Sequence, residues 1–274
     1  MQRWTGMLRL TAENRQGRTA AAHVYHQGAY KIARPMYPDD TGQVYYYVMN
    51  PGGGYVDGDR YLMELELGEH AQALITTQSS TKIYRTPHQP VLQLSEVALK
   101  HGSYLEWLPD PIIAYRNARY EQRTVIRMER SASLICAEII TPGWSPDGAQ
   151  FAYDELALKT EIYMDEQQIL FDNVKLRPHG KQMLSMGRMD GQTHLGSMFV
   201  IGEQATPEFI EQMCDEIGLD TLPGRIGLSQ LIVPGFAIRM LGNSTQQMEK
   251  VFGIIINYVR QQWFGKERLA LRKY

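Results

Sequence analysis

Two aspartates beside a run of glycines are the first candidates for chemistry in this sequence. Asp57 and Asp59 flank Gly58, and three successive glycines occupy positions 52–54. Glycines permit positive φ and close approach of another chain or a ligand, while the two carboxylates offer oxygen ligands to a cation. A phosphate cradle is disfavoured because the acids would repel the anion. The pattern therefore indicates either a cation contact or a tight turn with solvated carboxylates.

Two glutamates occur inside apolar runs. Glu106 lies between Leu105 and Trp107, and Glu138 lies in residues 134–140, whose other members are all apolar. An unpaired buried carboxylate is too costly to keep, so each must face solvent, form an ion pair or belong to a site. Because apolar residues flank Glu138 on both sides, we expect it to face a site or a water-filled interior.

Hydroxyl and amide side chains fill positions 76–81 (TTQSST), immediately before Lys82. Rotatable donors and acceptors of this kind can line a wet passage. A hydrogen-bonded polar loop between two strands is the alternative, and composition alone favours it.

The common nucleotide-binding and hydrolytic motifs are absent. The sequence contains no Gly-x-x-x-x-Gly-Lys-Ser/Thr, no Gly-x-Gly-x-x-Gly after a strand, no Gly-x-Ser-x-Gly and no His-Glu-x-x-His. Only His23 and His26 are close enough to be considered as one metal site, and on a strand this spacing points them to opposite faces. Cys136 and Cys214 lie in apolar contexts far apart, which predicts buried, reduced thiols.

Short strands must position most of these residues. From Val44 to about Leu241, apolar or alternating runs are separated by turn residues, which predicts hairpins and meanders. Residues 67–74 and 100–106 resemble each other at a spacing of 34 residues, as successive coils of a β-solenoid would. Chance similarity between two strand starts is the alternative.

Two helices are predicted, both in the C-terminal half. Thr206 and Pro207 form a capping pattern, and Gly218 would end that helix. The second helix begins after residues 243–245 and continues to Gly265, with an apolar face wider than a surface helix needs. It is therefore either a buried helix or a partner-binding one.

Composition predicts one cytoplasmic domain over residues 1–274. The chain has 28 Lys plus Arg against 30 Asp plus Glu, so a formal charge of −2 gives no reason to expect a nucleic acid or an anionic membrane. The first ten residues lack the apolar core of a signal peptide. The longest apolar stretch, residues 252–259, is too short to span a membrane.

The order and spacing of three motifs resemble those of the urease accessory protein family called UreD or UreH. The motifs are residues 51–59 (PGGGYVDGD), residues 76–85 (TTQSSTKIYR) and residues 105–109 (LEWLP). The three are specific in combination, although each alone would be weak. The likeness continues through the chain length, the acidic strand around Glu138 and the two late helices.

The resemblance implies a mainly β fold, with stacked β-sheets in a β-helix-like body and two helices in the C-terminal half. It implies a scaffold without catalytic turnover that binds apo-urease and the accessory protein UreF, and through UreF the GTPase UreG. It also implies that nickel passes transiently, by an internal water-filled passage, and that no cofactor is tightly bound.

Within that role, the oxygen-bearing side chains of the matched motifs are candidates for lining the passage. Sparse oxygen ligands suit such a route because several imidazoles or thiolates would trap Ni²⁺. The candidates are Asp59, Thr81, Glu106 and Glu138, with Asp57 and Lys82 as near neighbours.

For contact with UreF, we expect the apolar face of the last helix and the tail 266–274 to contribute. The named candidates are Val259, Trp263 and Arg268. A helix that only covers the sheet is the alternative.

Two other functions compete with the scaffold. A jelly-roll metal hydrolase would show a His-x-His pair on one strand, and the sequence has none. A β-sandwich module that binds a carbohydrate or peptide could use the 16 Tyr and 4 Trp, but these are dispersed along the chain.

Overall fold

The computed structural model of the chain describes residues 4–178, 183–269 and 271. Strands account for most of its regular structure. In chain order they are β1 (Gly6–Arg15), β2 (Arg18–Gly28), β3 (Lys31–Ile32), β4 (Val44–Met49), β5 (Arg60–Leu67), β6 (Gln72–Thr77), β7 (Thr81–Ile83), β8 (Val91–Leu99), β9 (Tyr104–Leu108), β10 (Ile112–Ala114), β11 (Arg119–Met128), β12 (Ser133–Ile140), β13 (Glu155–Met164), β14 (Gln167–Leu176), β15 (His194–Ile201), β16 (Arg225–Gln230) and β17 (Gly235–Gly242). The helices are α1 (Pro207–Ile217) and α2 (Thr245–Phe264).

The strands form two stacked sheets. The seven-stranded sheet has the order β14-β13-β11-β8-β5-β1-β2. The main path of the ten-stranded sheet is β16-β17-β15-β12-β9-β6-β4-β3, and β7 and β10 lie beside it. Between β4 and β13 the chain alternates between the sheets and returns to each in parallel. This winding confirms the β-helix-like body that the resemblance implies, and its parallel pairs differ from the antiparallel strands of a jelly roll. The hairpins and meanders predicted for this stretch are wrong, because most of the turns connect strands of different sheets.

The similarity between residues 67–74 and 100–106 corresponds to two adjacent coils. Leu67 pairs with Leu99, and Gln72 pairs with Tyr104, so the true spacing is 32 residues. The imidazoles of His70 and His101 lie edge to face, with ring centroids 5.2 Å apart. The solenoid interpretation is therefore correct, with an offset of two residues from the sequence comparison.

The hairpin of β1 and β2 was not among the predicted strands, which began at Val44. Gln16 and Gly17 form its two-residue loop with φ of 55° and 85°, as a hairpin turn of this length requires. β2 is an edge strand, and its second half is exposed on both faces. Because neither face of this half of β2 is buried, the sequence lacks the alternation of apolar and polar residues that indicates a strand.

Both helices begin and end where the sequence predicts. The Thr206 hydroxyl accepts a hydrogen bond from Phe209 N, and Ser244 does the same for Gln247 N at the start of α2. Gly218 and Gly265 end the helices with left-handed backbone, φ 61° and 59°.

Apolar side chains pack in two layers. One core lies between the two sheets, and the other lies between the ten-stranded sheet and the helices. Helix α2 contributes Met248, Val251, Phe252, Ile255, Ile256 and Val259 to the second core. None of the helices in the described part of the chain is both long and apolar enough to cross a membrane.

Candidate functional site

An internal cavity lies between the two sheets and is the principal candidate site. Its volume is about 80 Å³, which is room for several water molecules. On the ten-stranded sheet it is lined from β4 through β6, β9 and β12 to β15, and on the seven-stranded sheet from β5 to β14. Because neighbouring strands are about 4.8 Å apart, a lining that crosses five strands extends over roughly 19 Å. The cavity thus follows the direction in which the coils stack.

The inner face of the seven-stranded sheet is unexpectedly polar along this cavity. Gln93, Gln122, Thr124, Thr160 and Asp172 all line it. In β8 the alternation is inverted, because Gln93 points inward while Leu92 and Leu94 occupy the other face. Polar groups that face inward need partners or water, which a roomy cavity supplies.

Glu138 is a carboxylate that lines the cavity from β12. It extends from β12, where its neighbours in register are Ser197 of β15 and then Arg239 of β17. Gln122 Nε2 donates a hydrogen bond of 2.7 Å to Glu138 Oε1 from the opposite sheet. The side chain is partly buried, and desolvation, reinforced by the Asp172 carboxylate, raises its pKa to about 7.

A chain of hydrogen bonds connects Gln122 to the first coil. The Tyr120 hydroxyl lies 2.8 Å from Gln122 Oε1 and 3.0 Å from Gln93 Oε1. The Tyr55 hydroxyl donates to the same Gln93 oxygen at 2.9 Å and lies 2.9 Å from the Tyr30 hydroxyl. Burial raises the pKa values of these tyrosines, so they remain neutral donors. The sequence reasoning missed this network, because its members are joined only by the stacking of coils.

The titration of Glu138 predicts a pH-dependent stability. Below about pH 4.5 the carboxyl is neutral in both the folded and the unfolded chain, so it carries no cost. As the pH rises to about 7, ionisation favours the unfolded chain, and above that value the cost is constant at roughly 3 kcal/mol. Glu138→Gln removes this cost, so its free energy of unfolding should exceed that of the wild type above pH 7 and match it near pH 4.

Chemical denaturation at pH 4, 6 and 8 measures this difference. Glu96→Gln is the matched control, because Glu96 is exposed on β8, and it should change stability by less than about 0.5 kcal/mol. Equal stabilities of Glu138→Gln and wild type at pH 8 would contradict the burial of a charged Glu138.

The mouth of the cavity lies at the hydroxyl-rich loop. Ser80, Thr81 and Lys82 line it, together with Asn50 and Gly54. A Cβ at position 54 would lie 2.8 Å from Lys82 O and 2.6 Å from the Tyr84 ring, so only glycine lets the two loops pack this closely. Of the predicted passage groups, Thr81 and Glu138 therefore line one cavity, and Lys82 joins them.

Asp57 and Asp59 do not line the cavity. Asp59 Oδ2 accepts hydrogen bonds from Val56 N at 2.8 Å and from the Tyr61 hydroxyl at 2.9 Å. Asp57 accepts from the backbone N–H groups of His88 and Gln89, and its other oxygen lies 2.7 Å from His88 Nδ1. In this structure both aspartates tie turns together, as the tight-turn interpretation of the motif predicts. That interpretation also expected solvated carboxylates, whereas Asp59 is buried.

Glu106 faces the helices rather than the cavity. Its Oε1 accepts hydrogen bonds from Gln43 Nε2 at 2.9 Å and from Arg260 Nη1. Lys266 Nζ donates to Gln43 Oε1 and to Gln72 Oε1, both at 2.8 Å, and burial lowers the pKa of this lysine to about 8. We call Glu106, Gln43, Arg260 and Lys266 the Arg260 cluster. It fixes the end of α2 to the ten-stranded sheet.

The three predicted partner-binding residues occupy different environments. Val259 is fully buried in the core under α2, so it positions the helix and does not face a partner in this conformation. Trp263 is half-buried, with its ring 5.5 Å from that of Phe209. Arg268 is exposed. Ala270 and residues 272–274 of the predicted tail contact lie outside the described residues.

An open groove of about 590 Å³ separates α2 from the strand ends beside the cavity mouth. Phe252, Ile256 and Leu269 line it on the helix side. Ser80, Pro109, Asp110 and Ala137 line both the groove and the cavity. The face of α2 and the mouth of the cavity are therefore adjacent.

No cluster of three or more His, Cys, Asp or Glu side chains suited to hold a metal ion occurs in residues 4–178, 183–269 and 271. His23 and His26 lie on β2, three positions apart. Cys136 and Cys214 are both free thiols, and burial raises the pKa of Cys136, which lines the cavity.

Comparison with known proteins finds the same family over almost the whole chain. The family model described as UreD urease accessory protein matches residues 5–273. The urease accessory protein UreD of Lachnoclostridium phytofermentans is 43% identical over 274 residues, covering 100% of both chains. That of Actinomyces naeslundii is 40% identical over 98% of this chain and 99% of its own, and that of Bacillus sp. strain TB-90 is 37% identical with the same coverage.

Proposed function

The chain belongs to the UreD family of urease accessory proteins, and from this premise we propose that it is a non-catalytic cytoplasmic scaffold for nickel insertion into urease. Its partners are apo-urease and UreF, with the GTPase UreG joining through UreF for the GTP-dependent step. A role in urease maturation follows from the family itself. The finer assignments rest on the cavity, the groove and the chemistry of the residues that line them.

The cavity is the single observation that carries the nickel route. It spans successive coils, has a hydroxyl-lined mouth at Thr81 and is lined by the carboxylate of Glu138 between that mouth and Ser197. Carboxylate and hydroxyl oxygens hold Ni²⁺ more weakly than a set of imidazoles or thiolates, so the ion is bound briefly and released. The Cys136 thiol also lines the cavity, but its raised pKa keeps it protonated and a poor ligand. Nickel is therefore cargo, and no cofactor is held tightly.

The position of the groove supports docking of UreF on the α2 side. Four residues line both the groove and the cavity, so a partner seated against α2 lies at the mouth. Exposed Arg268 and the half-buried Trp263 border the C-terminal end of the helix. The apolar lining of the groove, including Phe252 and Ile256, provides surface for such a contact.

Expression of a urease operon with and without this reading frame tests the proposal. Without the frame, we expect urease subunits to assemble but to contain little nickel and to hydrolyse urea at a small fraction of the complete operon's rate. UreF should co-purify with the tagged chain from the complete operon. Fully metallated urease in the absence of the frame would overturn the scaffold function. Binding of a carbohydrate or peptide would then become the leading hypothesis.

A further inference from the structure

One arginine bridges the two sheets at the β14–β15 end of the cavity. Arg239 donates from Nη1 to Ser197 Oγ and from Nη2 to Asp172 Oδ1. Ser197 and Asp172 both line the cavity, and Arg239 lies next to Ser197 on the neighbouring strand β17. Since Asp172 belongs to the seven-stranded sheet and Ser197 to the ten-stranded one, the guanidinium bridges the two sheets beside these two lining residues.

The charge of this bridge opposes the passage of a cation. An ion leaving Glu138 towards this end meets the positive guanidinium, and the Asp172 carboxylate is already paired with it. At separations of a few ångströms, like charges repel by several kcal/mol at the dielectric typical of partly buried sites. While the bridge is closed, this end of the cavity therefore excludes Ni²⁺.

The ion pair between Arg239 and Asp172 can also separate at little cost in free energy. The Arg239 side chain is 39% exposed and that of Asp172 19%, so water reaches the pair from outside. Partly exposed ion pairs contribute little net stability, because water solvates both charges once they separate. Rotation of the long arginine side chain into solvent would leave the carboxylates of Asp172 and Glu138 facing the same opening.

We propose that Arg239 is the gate of the cavity at the Asp172–Ser197 end and determines whether cations can leave there. This inference rests on the proposed nickel route for its biological meaning. The gate itself is a statement about access and charge, so it can be measured without urease or nickel.

Cys136 supplies a native reporter of access. It lines the cavity two residues before Glu138, and Cys214, the second cysteine of the chain, lies on α1 away from the cavity. In a Cys214→Ser background, the rate of modification of Cys136 by the cationic reagent 2-aminoethyl methanethiosulfonate measures entry. The small thiolate fraction that the raised pKa of Cys136 leaves attacks the sulfenyl sulfur, a disulfide forms and methanesulfinate leaves. All variants are therefore compared at one alkaline pH. Ser80→Trp is added to fill the mouth, so that entry through the opposite end is measured alone.

Arg239→Ala should increase this rate at least tenfold in the full-length protein. Arg239→Gln, which removes the charge but can still bond Ser197, should give an intermediate rate. The increase should be larger for the cationic reagent than for the anionic 2-sulfonatoethyl reagent. Arg225→Ala is the matched control, because Arg225 lies on the neighbouring β16 and pairs with Asp190, and it should leave the rate unchanged.

Equal rates in Arg239→Ala and its parent, with circular dichroism and melting temperature showing both to be folded, would overturn the gate. A faster rate with no preference for the cationic reagent would overturn its role in charge selection. If labelling rises in Arg239→Ala but deletion of the reading frame leaves the nickel content of urease unchanged, the gate is supported and the proposed function is wrong. The two outcomes are thereby separated.

Discussion

Replacing Glu106 with alanine is expected to lower the free energy of unfolding by about 3–5 kcal/mol, the usual cost of removing one partner from a buried ion pair. Glu106 and Arg260 are 0% and 1% exposed, so neither charge can recover hydration in the variant. Lys266 is 4% exposed and would be left beside Arg260 without a carboxylate. Two buried cations would then hold the end of α2, and chemical denaturation should show the loss directly.

Glu96→Ala provides the control, since it removes an exposed glutamate from the adjacent coil. If Glu106→Ala proves too unstable to purify, Glu106→Gln keeps a hydrogen-bond acceptor for Arg260 and should cost less. A change below about 1 kcal/mol in Glu106→Ala would show that the pair is solvated. Any failure of Glu106 variants to activate urease should accordingly track the amount of folded protein, which separates this residue from the nickel route.

Replacing Glu138 with glutamine is expected to lower nickel per urease active site by at least about tenfold while the chain stays folded. A unit positive charge about 4 Å from a carboxylate gains on the order of 4 kcal/mol at an effective dielectric constant of 20. Glutamine retains the size and the hydrogen-bonding capacity towards Gln122 but lacks the charge. The loss therefore reports the electrostatic role of the side chain and not its packing.

The measurement is nickel content and urea hydrolysis of urease purified from the operon with each variant. Thr81→Val, which removes one hydroxyl from the mouth, should give a smaller loss, and Glu96→Gln should give none. Unchanged nickel content in Glu138→Gln would end the hypothesis that this cavity conducts the ion. The scaffold function tested by deletion of the frame would remain.

Local patterns predicted the helices and most strands but could not assign faces. Glu106 and Glu138 look alike in sequence, each a single acid in an apolar strand. Glu106 lies on the face of β9 that packs against the helices, where it binds Arg260. Glu138 lies on the face of β12 that points between the two sheets, where it lines the cavity. Alternation shows that two residues lie on opposite faces, but it does not show which layer covers each face.

The remaining cavity residues were missed for a related reason. Gln122 and Asp172 come from strands of the sheet opposite Glu138. Arg239, which bonds Asp172 from outside the lining, lies about a hundred residues after Glu138 in the chain. Their proximity depends on the order of strands in two sheets, which short-range periodicity does not contain. The inverted β8, with Gln93 inward and Leu92 outward, would even suggest the wrong core face. The apolar flanks of Glu138 predicted its interior position, and the motif resemblance added Thr81.

The number of coils in the body also determines the length of the cavity. Gln72, Tyr104 and Ser133 occupy successive positions in one stack, so each return to the ten-stranded sheet takes 32 and then 29 residues. Every return advances the stack by about 4.8 Å. Insertion or loss of one coil of roughly 30 residues would change the distance between the Thr81 and Asp172 ends by one such step, with the same cross-section. The distance between two partners bound at the two ends would therefore change only in steps of one coil, about 4.8 Å each.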